Sequence, residues 1–288
     1  MKGKRIRKIT PYLYVAPALL LAFLFCYRPF FLTITDSLFH VSGTGERLRF
    51  VGFDNYARLF ASESFQDSWR NTIVFALLFV PLNLFVTFSL ALITNKKNHL
   101  MEIDRDLLLL PMATAMSSAV LIFKLMFDEN VGIVNRMLPK DVRWFSDGPS
   151  AMLMLVIVGI WLDIGFDFLL LSSSLRNIPQ DLREVADLEG ASVWQRFRYL
   201  ELPMAGPTVF FVFCNNVKDA FLICSPVMIL TEGGPYRSTQ TLVYQMYLEG
   251  FKGGNIATGS AIATIVFLVS LGLLLLMMAY QRKRIFYQ

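Results

Sequence analysis

The chain of 288 residues contains no GxxxxGK[ST] stretch, so it has no glycine-rich phosphate loop of its own. It is also poor in the usual catalytic and metal-binding side chains, with two histidines and three cysteines. His40 and His99 stand singly near the edges of apolar runs, without a partner at metal or catalytic spacing, and read as interfacial side chains. Cys26, Cys214 and Cys224 lie in or beside apolar runs at spacings that match neither a zinc site nor CxxC, and read as packing residues with no metal to hold. No His/Asp or Ser/His/Asp set shares one depth in the chain, which argues against a membrane-embedded enzyme. Internal repeats, low-complexity segments and an inserted soluble domain are absent as well. Charged residues make up only 17%.

What the chain does have is apolar length. Hydrophobic residues reach 55% and the mean hydropathy is +0.51, too apolar for a soluble domain of this size and suited to a polytopic membrane protein. A net charge of +5 is then no sign of nucleic-acid binding, because cationic residues of membrane proteins gather on the cytoplasmic side. The opening Lys2, Lys4, Arg5, Arg7 and Lys8 before an apolar run imitates a secretory signal. The run is too long for one and has no small-residue cleavage site, so it reads as a retained helix. Six membrane-length spans are expected, at about 12–39, 69–94, 107–127, 151–171, 204–230 and 256–280. With the first segment inside, fifteen Lys and Arg fall on inner segments and eight on outer loops, which puts both termini in the cytoplasm.

One polar interval between these spans is itself patterned, from about 175 to 203. After Pro179, Leu182, Val185 and Ala186 recur at i, i+3 and i+4, the spacing of one helix face, with Asp181, Arg183, Glu184 and Asp187 around them. Gly190 is placed to close that helix in the left-handed conformation. Ser192 followed by Gln195 is a capping box for a second helix, whose stripe is Val193, Phe197 and Leu200 and which Leu202-Pro203 is expected to stop.

In these residues the chain resembles the permease subunits of binding-protein-dependent ABC importers, and among them the carbohydrate type. Glu184-Val185-Ala186, Gly190 and Leu202-Pro203 match the cytoplasmic "EAA" loop, with Val185 in place of the middle alanine. Gly190-Ala191, Trp194 and Gln195-Arg196-Phe197-Arg198 agree with the run that follows it. Val51-Gly52, Asn55-Tyr56, Arg70-Asn71-Thr72 and Leu230-Thr231-Glu232-Gly233-Gly234-Pro235 extend the likeness along nearly the whole chain, with Glu232 where the family has glycine. The resemblance implies an all-α membrane protein of six helices with the type I importer permease fold, forming one permease domain over 1–288. It implies a bacterial cytoplasmic membrane, a second homologous permease, two nucleotide-binding ATPase subunits and an extracytoplasmic solute-binding protein. The cargo implied is a sugar, oligosaccharide or related polyol. The chain itself would be no enzyme and would bind no cofactor, ATP and Mg being used by the partner ATPase. Glu184, Val185, Ala186, Asp187, Gly190, Leu202 and Pro203 would couple to that ATPase.

Ionisable groups inside spans are costly and usually face a cavity or another helix. Asp163 and Asp167 lie four apart in the fourth span, Lys124 lies in the third, and Asn215, Asn216, Lys218 and Asp219 cluster in the fifth. These are equally suited to lining a path for solute and to pairing between subunits. Asn83, two residues after Pro81, reads as the partner of a carbonyl freed by the proline. The rival reading is a proton-coupled secondary transporter with Asp163, Asp167 or Asp219 as its relay.

Overall fold

A computed structural model describes residues 14–95, 100–139 and 142–284. They form two compact units, one made of the residues up to Ser62 with Met246–Phe267, the other of Glu63–Gln245 with the segment from Leu268 onward.

The first unit opens with α1, Tyr14–Asp36, long and apolar enough to cross a membrane. Its turn Phe23–Tyr27 is a π turn, and the Arg28 N–H reaches back to the Phe23 carbonyl, just before Pro29. A proline lacks an N–H and crowds the carbonyl four residues back, so a widened turn lets the helix continue through it. A small antiparallel hairpin follows, β1 (Phe39–Val41) with β2 (Arg47–Phe50), which the all-helical expectation did not contain. It is braced by the next helix, α2 (Asp54–Ala61): Asn55 Nδ2 donates to the carbonyls of Ser37 and Phe39 at 2.8 and 2.9 Å, and the Tyr56 hydroxyl meets Ser37 Oγ at 2.6 Å. The Val51–Tyr56 motif is thus a strap on the hairpin.

The second unit is built on α3 (Glu63–Thr94), α7 (Gly148–Arg176) and α10 (Leu202–Leu222), which pack against one another. Between them, α4 (Leu100–Ala113) and α5 (Met116–Met126) occupy the place expected for the third span, but they meet at a bend of 109°. The bend lies at 114–115, where the Thr114 N–H and hydroxyl both turn back to the Pro111 carbonyl and Ala115 is extended. Pro111 weakens the helix and threonine offers it a local alternative partner. A short α6 (Ile133–Met137) completes the loop before α7, whose first turn is capped by Asp147. α4 crosses α7 at Gly165, where a Cβ would lie 2.8 Å from the Met112 side chain. α11, Ile256–Arg284, begins in the first unit and ends in the second. Five helices among the described residues are long and apolar enough to span a bilayer, six if the bent pair is one span.

One core cluster of the second unit holds Phe88, Ala91, Phe168, Leu171, Leu175, Ile178, Ala205 and Val212. It draws on α3, α7 and α10 at the end where the polar interval 175–203 leaves and re-enters the bundle, so that interval stands on a packed base.

Candidate coupling loop and buried polar residues

Ile178, 5% exposed, anchors the start of the interval in the core, and Pro179 begins α8, Gln180–Leu188. Pro fixes φ near the helical value and needs no partner for a missing N–H at a helix start. The far end is a Schellman closure: the Ala191 N–H bonds the Ala186 carbonyl at 3.0 Å, the Gly190 N–H bonds Asp187 at 3.1 Å, and Gly190 has φ +70°. Ser192 Oγ then accepts from the Gln195 N–H while Gln195 Oε1 accepts from the Ser192 N–H, the expected capping box, and α9 (Val193–Arg196) begins.

The second helix is not stopped at Leu202-Pro203. The turn Phe197–Glu201 is a π turn, the Leu202 N–H reaches the Phe197 carbonyl, and α10 follows without a break. The physical reason is the one seen at Pro29: widening the turn before a proline relieves it without ending the helix. The loop is therefore continuous with a membrane-length helix, and Val193–Thr231 forms one candidate span, interrupted where Ile223 leaves the helical backbone after Leu222.

α8 turns its apolar edge outward. Leu182 is 43% exposed, Val185 55% and Leu188 88%, while Ala186 is half-buried. Between α8 and the second helix lies an open hollow of about 420 Å3, floored by Leu182, Val185, Ala186, Tyr199 and Leu200. The polar side is tied inward. Arg183 Nη2 donates to the Leu175 carbonyl in the last turn of α7 at 2.5 Å, a cation on the partly negative end of a helix. With its amide oxygen turned to the guanidinium, Asn95 accepts from the same Arg183 at 2.9 and 3.1 Å. Asp187 pairs with Arg196 at 2.6 Å and so fastens α8 to α9. Glu184, exposed, accepts from Gln180 Nε2 at 2.8 Å. Arg183 counted in the sequence only as an inner-side charge; its partners, a carbonyl and a residue of another helix, leave no periodic signal.

The intramembrane polar residues fall into two groups. Asn215, Lys218 and Asp219 form a local network on one face of α10: Asn215 Nδ2 to Asp219 Oδ2 at 2.8 Å, Lys218 Nζ to Asn215 Oδ1 at 3.0 Å, and Lys218 to Asp219 Oδ1 at 3.0 Å. Asn216 points the other way and is wholly buried with Asn83 and Asp167, one residue from each of the three main helices. Asn83 Nδ2 donates to Asp167 Oδ2 at 2.7 Å, so this asparagine serves α7 and not a carbonyl freed by Pro81. The other oxygens of Asn83 and Asp167, and both amide atoms of Asn216, lack a partner of good geometry. Asp163 is half-buried within electrostatic reach of Asp219, Asp167 and Lys218. Lys124 Nζ donates to the Ile229 carbonyl at 2.7 Å, pinning α5 to the end of the run Val193–Thr231. Among the described residues, no group of three His, Cys, Asp or Glu could hold a metal ion.

A bundle of membrane-length helices from which a short exposed helix projects on a packed base is the architecture of an integral-membrane protein. The chain belongs to the family of binding-protein-dependent transport system inner membrane components, whose model matches residues 60–287. It is 31% identical over 282 residues to the sn-glycerol-3-phosphate transport system permease protein UgpA of Yersinia pestis bv. Antiqua (strain Antiqua), covering 96% of each chain. The protein of that name from Pectobacterium atrosepticum is 29% identical over 282 residues, again covering 96% of each. Among solved structures, the bacterial alginate ABC transporter in complex with an alginate pentasaccharide-bound periplasmic protein has a chain that superposes with a TM-score of 0.86. That match covers 97% of this chain and 96% of the other at 20% identity, and it shows the shared permease fold.

Proposed function

We propose that this chain is the permease subunit of an ATP-driven importer for a sugar, oligosaccharide or related polyol solute. The observation that carries the reading is α8: a helix with an outward apolar edge, closed at Gly190 and continuous through α9 with a membrane helix. An edge of Leu182, Val185 and Ala186 is too narrow to be a core and suits helix-in-groove docking on a partner. The partner is a pair of nucleotide-binding subunits, which bring ATP and Mg. A second homologous permease completes the path, and an extracytoplasmic binding protein delivers the solute. The solute class is supported by the sn-glycerol-3-phosphate and alginate systems that the similar proteins serve.

In the mechanism, ATP binding closes the ATPase pair and moves α8. Arg183 and the Asp187–Arg196 pair hold α8 to α7 and α9, so the movement passes to the helices and not into a slack loop. The bundle then alternates between inward-open and outward-open forms, solute favouring one of them. Asp163, Asp167, Asn215, Asn216, Lys218 and Asp219 are the polar candidates along that path, with Asp163, Asn215, Lys218 and Asp219 more accessible than the buried Asn216 and Asp167. Both termini and α8 lie in the cytoplasm and the 232–241 loop outside.

The test is reconstitution of the complex in proteoliposomes with its ATPase and binding protein, the solute being identified by mass spectrometry. Uptake that needs ATP supports the reading. Uptake driven by a pH gradient without ATP would instead establish the proton-coupled transporter.

A further inference from the structure

The segment Val193–Thr231 follows α8 and the capping box at one end, and at the other it leads into a loop of unusual backbone. After the π turn Val227–Thr231, three residues that are not glycine adopt left-handed backbone: Glu232 at φ +51°, Tyr236 at +48° and Arg237 at +63°. Such a conformation is disfavoured for side-chain-bearing residues and persists only where the surroundings over-determine it.

Here they do. Within the loop, Thr239 Oγ1 lies 2.7 Å from the Gly234 carbonyl and 2.8 Å from Thr231 Oγ1. Across to α3, Asn71 Nδ2 donates to the carbonyls of Arg237 and Gln240 at 2.7 and 3.1 Å, and Gln240 Nε2 donates to Ser64 Oγ at 2.8 Å. Arg237 pairs with Asp67 at 3.2 Å, and the Leu242 N–H bonds Thr72 Oγ1 at 3.0 Å. Thr239, Gln240 and Thr241 are buried. On this fixed base the large apolar ring stands bare: Tyr236 is 99% exposed.

A tyrosine held by its backbone and left uncovered is a poor device for stability, since its ring stays in water. It is a good device for binding. Its two torsions cost little to immobilise, its ring offers a large apolar area, its hydroxyl can bond at the edge of a pocket, and a fixed loop has no ordering cost left to meet. We infer that Tyr236 is a preformed anchor for the external solute-binding protein, seated in an apolar cleft of that protein with a polar rim. The inference rests on the importer reading above. Val193–Thr231, long and apolar enough to cross a membrane, separates the 232–241 loop from α8, and a permease of matching fold has been crystallised with its periplasmic protein. Docking outside and docking of the ATPase would then act on the two flanks of the same membrane-length segment.

The experiment uses the whole reconstituted complex and measures ATPase stimulation against binding-protein concentration for the parent, Tyr236→Ala and Tyr236→Phe. Buried aromatic anchors dominate interface energies, so Tyr236→Ala should raise the half-stimulating concentration at least about tenfold, and Tyr236→Phe only a few-fold. A photo-crosslinking residue at position 236 should join the binding protein, which serves equally if Tyr236→Ala fails to assemble. An unchanged half-stimulating concentration with Tyr236→Ala, or no crosslink from position 236, overturns the inference. A parent complex that gives no stimulation by any binding protein strikes at the importer reading instead, so the two failures are distinguishable.

Discussion

Single polar side chains fasten helices to one another at several points beside the apolar core. Arg183 is the clearest case, because one guanidinium serves both the end of α7 and Asn95 beyond α3. Arg183→Met should lower the melting temperature of the solubilised complex by a few degrees, charge-assisted bonds being worth about 1.5–3 kcal/mol each. Arg183→Lys should not restore it, because a point charge cannot reach both partners at once. A scanning melt of the three proteins checks this, and a parent-like melt for Arg183→Met would sink it. At the buried junction, Asp167→Asn keeps a polar partner for Asn83, whereas Asp167→Leu strands the Asn83 amide and should cost about 1–3 kcal/mol. Equal stability of the two variants would contradict that. Neither contact was legible beforehand. Asn83 and Asp167 stand 84 positions apart, and nothing in a single sequence ties a proline-adjacent asparagine to an aspartate in another span.

At the scale of elements, local chemistry was legible and its consequences for continuity were not. Gly190 and the Ser192–Gln195 box announce their caps because each involves neighbours within six residues. An alanine Cβ at Gly190 would meet nothing within 4 Å in this chain, so the intrachain cost of a substitution is backbone strain alone. Gly190→Ala should therefore cost about 1–2 kcal/mol in stability, and Gly190→Leu little more. If α8 docks as proposed, Gly190→Leu should nonetheless lose ATPase binding well beyond Gly190→Ala; equal binding by both would mean the glycine serves only its own turn. Pro203 misled in one direction, whereas the expected first span already ran through Pro29. Leu202-Pro203 reads as a stop, yet a π turn before it carries the helix through, as one does before Pro29, because an apolar segment gains more by remaining helical in a membrane. The bend at 114–115 misled in the other, since Pro111 and Thr114 break a stretch whose hydropathy reads as continuous. The hairpin 39–50 was missed because two strands of three and four residues give no period to detect.

For the molecule as a whole, apolar length and the asymmetry of charge between loops were enough to propose a polytopic membrane protein with α8 inside. Tyr236, 99% exposed, supplies a labelling position for testing that topology. In a background lacking Cys26, Cys214 and Cys224, Tyr236→Cys should react with an impermeant reagent in sealed cells and Val185→Cys should not. The reverse pattern would invert the topology. The solute stayed out of reach of the sequence because composition and spacing speak of helices and caps, whereas the polar groups proposed for the path come together from separate helices.

The central claim is that the outward edge of α8 is the seat of the ATPase, and its most direct measurement is the amount of ATPase subunit that co-purifies with the permease pair. Val185→Asp and Leu188→Asp put charge on side chains that touch little within this chain, so the permease itself should stay folded. Burial of a Val or Leu side chain is worth about 1.5–3 kcal/mol, so each change should lower ATPase retention roughly tenfold or more and abolish ATP-dependent uptake. Retention and uptake equal to the parent in both variants would contradict the account.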